Sequence, residues 1–393
     1  MKPRILVFCD FYLPGFKSGG GMWTVVNLVD RFCDQFDFFI VTRNYDGRSD
    51  TTPYTSVLTG KWNIVGNAHV YYASDELITQ ANFAALVREV DPSLVYLNSV
   101  FCTPGIKFLA LRRRNKVRDL PVILAPCGEL SDAALGIKST KKRAFLSIAK
   151  LLGLHFGVTW KGSTELEAEE IRKAVGPDVT VMIAPDLPPR EILPQFVNDE
   201  KPSKQKGSAT FCFVSRVDRK KNLHFLLRAL APITKGNVVL KIVGPQEDPV
   251  YWAECERLIE QLPTNIRVEV AGGVPYDSVL SHLMSSHFFV LPTLNENFGY
   301  VFVEAMAAGC PIMISDRTIW NDVESAGAGT SIGLEYVEPW TERIRDWINM
   351  DQQAYSLMSA AARKFAVDWL GSSSSQASVA AVLSTALNRK KDI

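Results

Sequence analysis

Short apolar runs alternate along the chain with longer amphipathic segments. The runs include RILVFCDFY, FFIVT, LVYLN, PVILAP, TFCFV, VVLKIV and FFVLP, all rich in β-branched and aromatic residues. Such runs predict buried strands. Segments of helical period lie between them; residues 22–32, for example, are apolar at positions 25, 26, 28 and 29. Strands that alternate with helices predict parallel sheets joined by crossover helices, which is an α/β fold.

The periodic pattern is interrupted once, near the middle of the chain. The segment LPPREILPQFVNDEKPSKQKGS has four prolines, mixed charges and few periodic apolar positions, which is typical of a linker. A chain of 393 residues is also too long for one ordinary core. We therefore expect a first domain over residues 1–190, a linker over residues 191–208, and a second domain that restarts the pattern at residue 209.

The segment PTLNENFGYVFVEAMAAGCPIMISD, residues 292–316, predicts a β–loop–α–β unit. The run from His287 to Leu291 precedes it as a strand, and apolar side chains at i, i+4 and i+7 predict a helix over residues 299–308. Asn295 and Asn297 are residue types that favour turns and helix N-caps. IMIS predicts the second strand, so the unit is a parallel crossover.

Two carboxylates stand in this unit. Glu296 lies in the loop at the carboxyl end of the strand, and Glu304 lies eight residues later in the apolar helix. Since glutamates are usually exposed, the simpler alternative is that Glu304 faces solvent or pairs with a lysine. However, ligands of open parallel sheets bind beyond the carboxyl ends of the strands, and the N–H groups of Phe298 and Gly299 would face that crevice. This location favours a binding site.

The sequence ENFGYVFVE resembles the Glu-x7-Glu signature of the retaining, nucleotide-sugar-dependent glycosyltransferases of family 4, within the glycosyl transferases group 1. That family has the GT-B fold, an α/β architecture in which two Rossmann-like domains face each other across a cleft. The resemblance implies that Glu296, Asn297, Phe298 and Gly299 hold the donor sugar. It also implies that Glu304 accepts hydrogen bonds from the ribose hydroxyls.

The resemblance further implies a role for each domain. Residues 1–190 would bind the acceptor, and residues 209–365 would bind the nucleotide sugar. A C-terminal helix within residues 366–393 would return towards the first domain. The base of the nucleotide would rest on backbone groups of Val243, Gly244, Gly273 and Val274.

A cation pair precedes the first helix of the second domain. The sequence SRVDRKKN, residues 215–222, resembles the family's Gly-Arg-Leu-x-x-x-Lys-Gly, with Ser215 and Asn222 in place of glycines. Arg216 and Lys221 match the residues that bind the donor diphosphate and stabilise the leaving group. Two cations at the carboxyl end of a strand suit that task, because negative charge develops on the departing diphosphate. The alternative is a basic surface loop.

A glycine-rich loop follows the first strand of the chain. Gly19, Gly20 and Gly21 open the helix over residues 22–32, and a strand that runs through such a loop into a helix can cradle phosphates. The spacing matches neither GxGxxG nor the P-loop, so a flexible turn is the alternative. In the family this loop approaches the donor diphosphate and the acceptor.

Three residues are assigned to the acceptor side by the same resemblance, namely Cys127, Glu129 and Lys161. One branch of the family has arginine or histidine at the position of Cys127 and histidine at that of Lys161, so the chain departs from histidine-based acceptor chemistry there. Lys161 could still supply a positive charge. No histidine lies near Cys127 in the sequence, which favours a small packing residue over a nucleophile.

Composition restricts the partners. The formal net charge is +1, which gives no bulk attraction to nucleic acid. Basic residues nevertheless cluster locally in two groups, and the interleaving of the second group, from Lys138 to Lys150, with apolar residues fits an anionic membrane surface as well as a solvated helix face. These are Arg112, Arg113, Arg114, Lys116, Arg118, Lys138, Lys141, Lys142, Arg143 and Lys150.

The seven cysteines are scattered, and no CxxC motif occurs. We therefore expect reduced thiols, no zinc site and a cytoplasmic protein, with peripheral contact at the inner face of the membrane. No run of eighteen apolar residues predicts a transmembrane helix, and MKPRILVFCDF predicts a strand and not a signal peptide. No DxD-like acidic cluster is present, so neither a divalent metal nor another cofactor is expected.

These observations predict a retaining glycosyltransferase that moves a sugar from a nucleotide-diphosphate sugar to a saccharide or lipid-linked saccharide. Glu296, Arg216 and Lys221 would be its catalytic residues, and surface polysaccharide or lipopolysaccharide synthesis would be its setting, by analogy. Two alternatives stay open. A nucleotide-sugar epimerase of the same fold would convert the donor without an acceptor. A non-catalytic scaffold would bind the nucleotide weakly or not at all.

Overall fold

The computed structural model describes residues 2–16, 19–47, 51–136, 139–189, 201–296, 298–371 and 374–388. The chain divides into two compact units, residues 1–190 with 373–393 and residues 191–372. Each unit is built on one sheet of mostly parallel strands with helices in the connections. The α/β class that the alternating pattern predicts is therefore confirmed.

The described strands form two sheets. The first has the order β3-β4-β2-β1-β5-β6-β7-β8, and its strands are β1 Arg4–Phe8, β2 Asp37–Arg43, β3 Trp62–Val65, β4 Ala68–Ala73, β5 Leu94–Asn98, β6 Val122–Ala125, β7 Val158–Gly162 and β8 Thr180–Ile183. The second has the order β11-β10-β9-β12-β13-β14, and its strands are β9 Ser208–Val214, β10 Asn237–Val243, β11 Ile266–Gly272, β12 Phe288–Leu291, β13 Ile312–Ser315 and β14 Gly329–Ile332.

Helices connect these strands. They are α1 Gly20–Phe32, α2 Gln80–Val90, α3 Thr103–Arg113, α4 Asp132–Gly136, α5 Ser139–Leu151, α6 Glu165–Val175, α7 Leu223–Leu230, α8 Pro249–Glu260, α9 Tyr276–Met284, α10 Tyr300–Ala307, α11 Glu338–Asn349, α12 Gln352–Gly371 and α13 Ser374–Asn388, with one 3-10 turn at Asn321–Val323. Among the described residues, no helix combines the length and apolar character needed to cross a membrane.

Parallel register brings the carboxyl ends of neighbouring strands together. In the first sheet, Phe8 at the end of β1 pairs with Val41 of β2 and Leu97 of β5. In the second sheet, Val214 at the end of β9 pairs with Val243 at the end of β10. The loops that follow these strands therefore begin at one edge of each sheet, which is where ligands of parallel sheets bind.

Some predicted boundaries differ from the structure. The sequence predicts the first strand over residues 4–12, but β1 ends at Phe8. The short strand β3 was not predicted; it pairs antiparallel with β4 across a turn at Gly66, whose φ of 56° suits glycine. The helix after β12 begins at Gly299 as N-cap, with φ of 79° and no side-chain cap, so the N-cap role expected of Asn295 is wrong. Asn297 lies outside the described residues.

The C-terminal region differs from the one returning helix that was expected within residues 366–393. Helix α12 belongs to the second unit, and α13 belongs to the first, where Val379, Val382 and Leu383 are buried in the same core cluster as Val7 of β1. The returning helix thus begins at Ser374, whereas residues 366–371 complete α12.

The segment expected to be a linker is partly built into the second unit. Lys204 is 3% exposed, and its ammonium donates hydrogen bonds to the carbonyl oxygens of Ile348 and Met350, both at 2.9 Å. Lys201 donates to the carbonyl oxygen of Leu283 at 2.8 Å. Residues 201–208 therefore belong to the second unit rather than to a linker, because the side chains of Lys201 and Lys204 satisfy carbonyl groups at the ends of α9 and α11.

His287 fastens this segment to the second sheet. Its Nδ1 accepts a hydrogen bond from the backbone N–H of Thr210 at 2.9 Å, and its Nε2 lies 3.3 Å from the carbonyl oxygen of Ser203. Burial, assisted by the nearby Lys204 and Lys201 ammonium groups, lowers the pKa of His287 to about 4. The neutral ring is therefore the form that the fold holds.

We predict that the second unit loses stability as the pH falls from 6.5 towards 4. The unfolded chain binds a proton at His287 below the ordinary pKa of about 6.5, whereas the folded chain does not do so until about pH 4. Between these values the free energy of unfolding therefore falls by up to about 1.4 kcal/mol for each unit by which the pH is lowered. Amide hydrogen exchange of residues 208–214, corrected for intrinsic rates, measures it. In His287→Asn the dependence should shrink, because Oδ1 replaces the acceptor without titrating. Exposed His69→Asn is the control, and equal pH dependence in all three proteins would contradict the prediction.

Candidate functional site

Three loops converge at the carboxyl edge of the second sheet. They follow β9, β10 and β12, and their backbones are joined by hydrogen bonds. The N–H of Val217 donates to the carbonyl oxygen of Pro245 at 2.9 Å, and the N–H of Leu294 donates to that of Lys220 at 2.8 Å. The Thr293 hydroxyl donates to the same Lys220 oxygen at 3.2 Å. The two segments predicted to hold the diphosphate and the sugar are therefore fixed to each other.

Glu296 and Lys221 form an ion pair at the centre of these loops. Their side chains are 14% and 12% exposed, and the Lys221 ammonium donates directly to Glu296 Oε2. Burial alone would raise the pKa of Glu296, but the charges of Lys221, Lys220 and Arg216 more than offset burial and lower it. Glu296 is thus an ionised carboxylate at neutral pH, and the structure brings it together with one of the two cations predicted from the sequence.

Arg216, the other predicted cation, is held more loosely. Its side chain is 40% exposed, and its nearest carboxylates are Glu247 at 3.5 Å and Asp218 at 3.8 Å. Both contacts are longer than a good charge-assisted hydrogen bond. The guanidinium can therefore exchange these partners for a ligand anion at little cost.

Gly299 allows the loop to turn sharply beside Glu296. A Cβ at this position would lie 2.5 Å from the Phe302 ring and 2.9 Å from Cγ of Glu296, and its φ of 79° is unfavourable for other residues. The Phe298 side chain is 2% exposed and packs on Trp320, whose indole N–H donates to the Phe298 carbonyl oxygen at 2.6 Å. The side chain and the carbonyl oxygen of Phe298 are therefore engaged within the fold, which leaves its N–H as the group for a ligand.

Glu304 lies inside the fold. It is 6% exposed and stands in α10, with Phe302, Val303 and Ala305 buried beside it. The alternative that Glu304 faces solvent is therefore wrong. Burial of a carboxylate without hydrogen-bond donors costs several kcal/mol. The position of Glu304 in the helix that follows the Glu296 loop therefore fits a hydrogen-bonding role.

The predicted base contacts follow β10 and β11. Val243 is fully buried, and Gly244 donates its N–H to the carbonyl oxygen of Gly272 at 2.7 Å. Gly273 approaches Pro245, and Val274 follows it in the same loop. The Val243 carbonyl oxygen accepts a hydrogen bond from the Ser215 N–H at 2.9 Å, so this residue positions the loop and has no exposed group of its own for a ligand.

In the first unit, the three glycines open α1 at the end of β1. Gly19 is the N-cap with φ of 69°, and Gly20 and Gly21 are the first residues of the helix. The Asn98 side chain donates to the carbonyl oxygen of Gly21 at 2.7 Å and accepts from the Cys127 thiol at 3.3 Å. Asn98, which the sequence reasoning missed, thus joins the glycine loop to the predicted acceptor loop.

The predicted acceptor residues are held by structural contacts. Burial raises the pKa of the Cys127 thiol well above its ordinary value, which argues against a nucleophile. Glu129 accepts hydrogen bonds from the Ser99 hydroxyl at 2.8 Å and from the Val100 N–H at 2.9 Å. Lys161 is 4% exposed and pairs with Asp186 at 2.8 Å. Burial would lower the pKa of Lys161, but Asp186 outweighs it and the pKa is raised, so the charge is held within this pair.

Glu167 is a second residue that the sequence reasoning missed. It is 2% exposed and accepts hydrogen bonds from the Gly128 N–H at 2.6 Å, the Ser163 N–H at 2.7 Å and the Ser163 hydroxyl at 2.8 Å. Thr164 and Glu167 have capping-box spacing, and the Thr164 side chain does cap α6. That spacing was the available signal, although Glu167 fixes the loop after β6 and not the cap.

The part of the chain that the structure describes contains no group of three or more histidine, cysteine, aspartate or glutamate side chains arranged to hold a metal ion.

Residues 195–365 match the family model described as glycosyl transferases group 1. Over 148 residues the chain is 35% identical to glycogen synthase from Vibrio parahaemolyticus, a match that covers 36% of this chain and 29% of that protein. The chain spans only 24% to 36% of the length of the curated relatives it matches. The predicted resemblance to group 1 is nevertheless confirmed.

Solved structures match the whole chain. Sucrose-phosphate synthase from Thermosynechococcus elongatus has a TM-score of 0.72 at 18% identity and covers 99% of both chains. Anabaena Alr3699/HepE, solved in complex with UDP and glucose, has a TM-score of 0.71 at 17% identity and covers 98% of this chain and all of its own. These likenesses confirm the GT-B fold.

We predict that Gly244→Ala weakens nucleoside diphosphate binding and destabilises the second unit. The added Cβ would lie 1.9 Å from the carbonyl oxygen of Ser215, so the backbone next to Arg216 must move. Gly176→Ala is the matched control, since its φ of 143° equals the 142° of Gly244 but its Cβ would meet nothing within 4 Å. Both changes should cost about 1–3 kcal/mol of backbone strain. Only Gly244→Ala should also lower affinity, measured by calorimetry; equal affinity in both variants would contradict this account.

Proposed function

We propose that this chain, whose residues 195–365 carry a glycosyl transferases group 1 domain, is a retaining glycosyltransferase that uses a nucleotide-diphosphate sugar. The observation that carries the proposal is the cluster of Glu296, Lys221 and Arg216 on loops that are hydrogen-bonded to each other. A carboxylate suited to sugar hydroxyls and cations suited to a diphosphate stand together there. Glu304, buried in the helix that follows, is suited to ribose hydroxyls.

The proposed reaction replaces one bond to the anomeric carbon of the sugar by another. The bond to the diphosphate oxygen breaks with its electron pair on that oxygen, whose charge Arg216 and Lys221 stabilise. The acceptor hydroxyl attacks from the same face and passes its proton to the leaving phosphate. Glu296, ionised because the neighbouring cations lower its pKa, orients the sugar by accepting hydrogen bonds from its hydroxyls and forms no bond to the anomeric carbon. Trapping of a glycosyl adduct on Glu296 would refute this mechanism.

The acceptor proposed is a saccharide or a lipid-linked saccharide in surface polysaccharide synthesis, at the cytoplasmic face of the membrane. Fixed cations, rather than a divalent metal, would neutralise the diphosphate. The residues predicted on the acceptor side, Cys127, Glu129 and Lys161, hold the loops of the first unit through contacts with neighbouring side chains.

We predict that one nucleoside diphosphate among UDP, GDP, ADP and dTDP raises the Tm of the purified protein, with or without magnesium. Binding to the folded state stabilises it by mass action, by about 2.7 kcal/mol at a ligand concentration of 100 Kd. In Arg216→Ala and Glu304→Ala the affinity for this nucleotide should fall at least tenfold. The rise in Tm at the same ligand concentration should therefore be smaller. Arg267→Ala is the control, because that exposed arginine pairs with Glu269 on the edge strand β11.

Loss of the shift in the magnesium-free arm would contradict the proposed metal independence. No shift with any nucleotide would favour the non-catalytic alternative. If the matching nucleotide sugar is converted to another sugar without an acceptor, the epimerase alternative is favoured instead.

The membrane contact proposed for the first unit is supported by the surface around α5. Four large apolar side chains at its end and in the following turn are exposed: Ile148 by 54%, Leu151 by 86%, Leu152 by 53% and Phe156 by 79%. Arg113 donates to the carbonyl oxygen of Leu152 at 3.0 Å and Arg112 to that of Phe156 at 2.6 Å, which holds the turn in place.

Charge selects the partner of this apolar surface. No aspartate or glutamate occurs from residue 133 to residue 164, whereas Lys141, Arg143 and Lys150 are exposed on α5. Lys138, also basic, lies outside the described residues. Exposed apolar side chains among cations fit the interface of a bilayer with anionic head groups.

We predict that the protein sediments with phosphatidylglycerol vesicles and much less with phosphatidylcholine vesicles. Leu151→Glu combined with Phe156→Glu should weaken binding at least tenfold, because burial of each side chain contributes about 1.5–3 kcal/mol. Leu357→Glu, which alters a leucine of the second unit that is 68% exposed, is the control. Equal binding to both lipids, or no loss in the double variant, would contradict the membrane assignment.

A further inference from the structure

The loop after β13, residues 316–320, fastens the loop that carries Glu296 at two points. The backbone N–H of Glu296 donates to the carbonyl oxygen of Arg317 at 3.1 Å. The indole N–H of Trp320 donates to the carbonyl oxygen of Phe298 at 2.6 Å. The sequence resemblance assigns no role to residues 316–320, yet these two contacts set the position of the segment predicted to hold the donor sugar.

Trp320 is itself firmly held. It is 3% exposed, and its backbone N–H donates to the Thr318 hydroxyl at 3.2 Å. Its ring centroid lies 5.0 Å from that of Trp369 and 6.3 Å from that of Phe365, both on α12, and 5.6 Å from that of Phe298. A ring enclosed in this way cannot change its rotamer without displacing its neighbours. Its N–H is therefore a fixed donor for the Phe298 carbonyl oxygen.

This hydrogen bond sets the direction of the peptide group between Phe298 and Gly299. The C=O and N–H of a trans peptide point to opposite sides, so the carbonyl oxygen that faces Trp320 turns the Gly299 N–H away from it. Gly299 is the N-cap of α10, and its N–H precedes the first intrahelical hydrogen bond. A Cβ on Gly299 would lie 2.9 Å from Cγ of Glu296. A sugar held by Glu296 can therefore accept a hydrogen bond from this N–H.

Glycine at position 299 makes such a restraint necessary. Its φ is 79° and its ψ is 67°, but glycine adopts negative φ about as readily, so the peptide before it can flip. A flip would exchange the two polar groups and direct the Phe298 carbonyl oxygen towards the Glu296 carboxylate and the sugar. The Trp320 donor stabilises the other orientation, because it lies where only the carbonyl oxygen can accept its hydrogen bond.

We propose that Trp320 is a positioning residue for the donor sugar, which locks the peptide between Phe298 and Gly299 with its N–H towards the sugar. This inference rests on the proposed function. Trp320 is too buried to meet the ligand with its own ring, so its effect passes through the peptide. A nucleoside diphosphate lacks the sugar and does not depend on this N–H, whereas the intact nucleotide sugar does.

The test compares two ligands by calorimetric titration without an acceptor: the nucleoside diphosphate that stabilises the wild-type protein, and the corresponding nucleotide sugar. Trp320→Phe keeps an aromatic ring and removes the N–H. Its affinity for the nucleotide sugar should fall at least tenfold, and its affinity for the nucleoside diphosphate should change less than threefold. Replacement of Trp320 by benzothienylalanine, in which sulfur takes the place of the N–H in a ring of nearly the same shape, should have the same effect.

Trp340→Phe is the matched control. Trp340 is fully buried in the same unit, and its indole N–H donates to the carbonyl oxygen of Gly333 at 2.9 Å. Both phenylalanine variants should have a lower Tm without ligand, because each leaves a carbonyl oxygen without its donor. Only Trp320→Phe should lose affinity for the nucleotide sugar selectively.

Three results would overturn the inference and leave the glycosyltransferase proposal intact. These are an equal loss of affinity for both ligands in Trp320→Phe, a similar loss in Trp340→Phe, and wild-type affinity in the benzothienylalanine protein, which would assign the effect to ring packing. Failure of the wild-type protein to bind any nucleoside diphosphate or nucleotide sugar would overturn both proposals.

Discussion

The ion pair between Glu296 and Lys221 is the interaction on which the site in the second unit depends. Each partner comes from a different loop, and each is too buried to remain charged alone. The pair therefore fixes the protonation of Glu296 and the positions of both loops. The hydrogen bonds from Leu294 and Thr293 to the Lys220 carbonyl oxygen hold the same two loops through their backbones. Charge and backbone geometry thus support each other.

Parallel register is the second constraint. Because β9, β10 and β12 run in one direction, their following loops must start at one edge, and chemistry from distant parts of the sequence meets there. The loops can come this close only where side chains are absent. Gly244 leaves room for the Ser215 carbonyl oxygen, and Gly299 leaves room for Glu296 and Phe302. These glycines are part of the site although they carry no functional group.

The fold was predictable because short continuous apolar runs mark the buried strands, and apolar residues at helical spacing mark the helices between them. Runs such as FFVLP and IMIS match β12 and β13, and the crossover between them is where the sequence predicts it. Boundaries set by single backbone conformations were less predictable. Asn295 has a good N-cap side chain, but Gly299 begins the helix, because only glycine fits between Phe302 and Glu296 with a positive φ.

Spacing along the chain predicted where Glu296 and Glu304 lie, the first in the loop after β12 and the second inside α10, while their roles toward the donor stay predictions. The site was not predictable where the partner is distant in sequence. Lys161 suggested a charge for the acceptor, but Asp186, 25 residues away, neutralises it. Asn98 and Glu167 join loops that only the sheet order brings together.

The central claim is that the donor binds at the loops after β9 and β12. Hydrogen–deuterium exchange of the full-length protein, with and without the nucleotide sugar whose nucleoside diphosphate gives the largest thermal shift, tests it most directly. The account predicts slower exchange in residues 215–222 and 292–304, and little change at the edge strand β11. Slower exchange elsewhere in the protein, with no change in either of these loops, would contradict it.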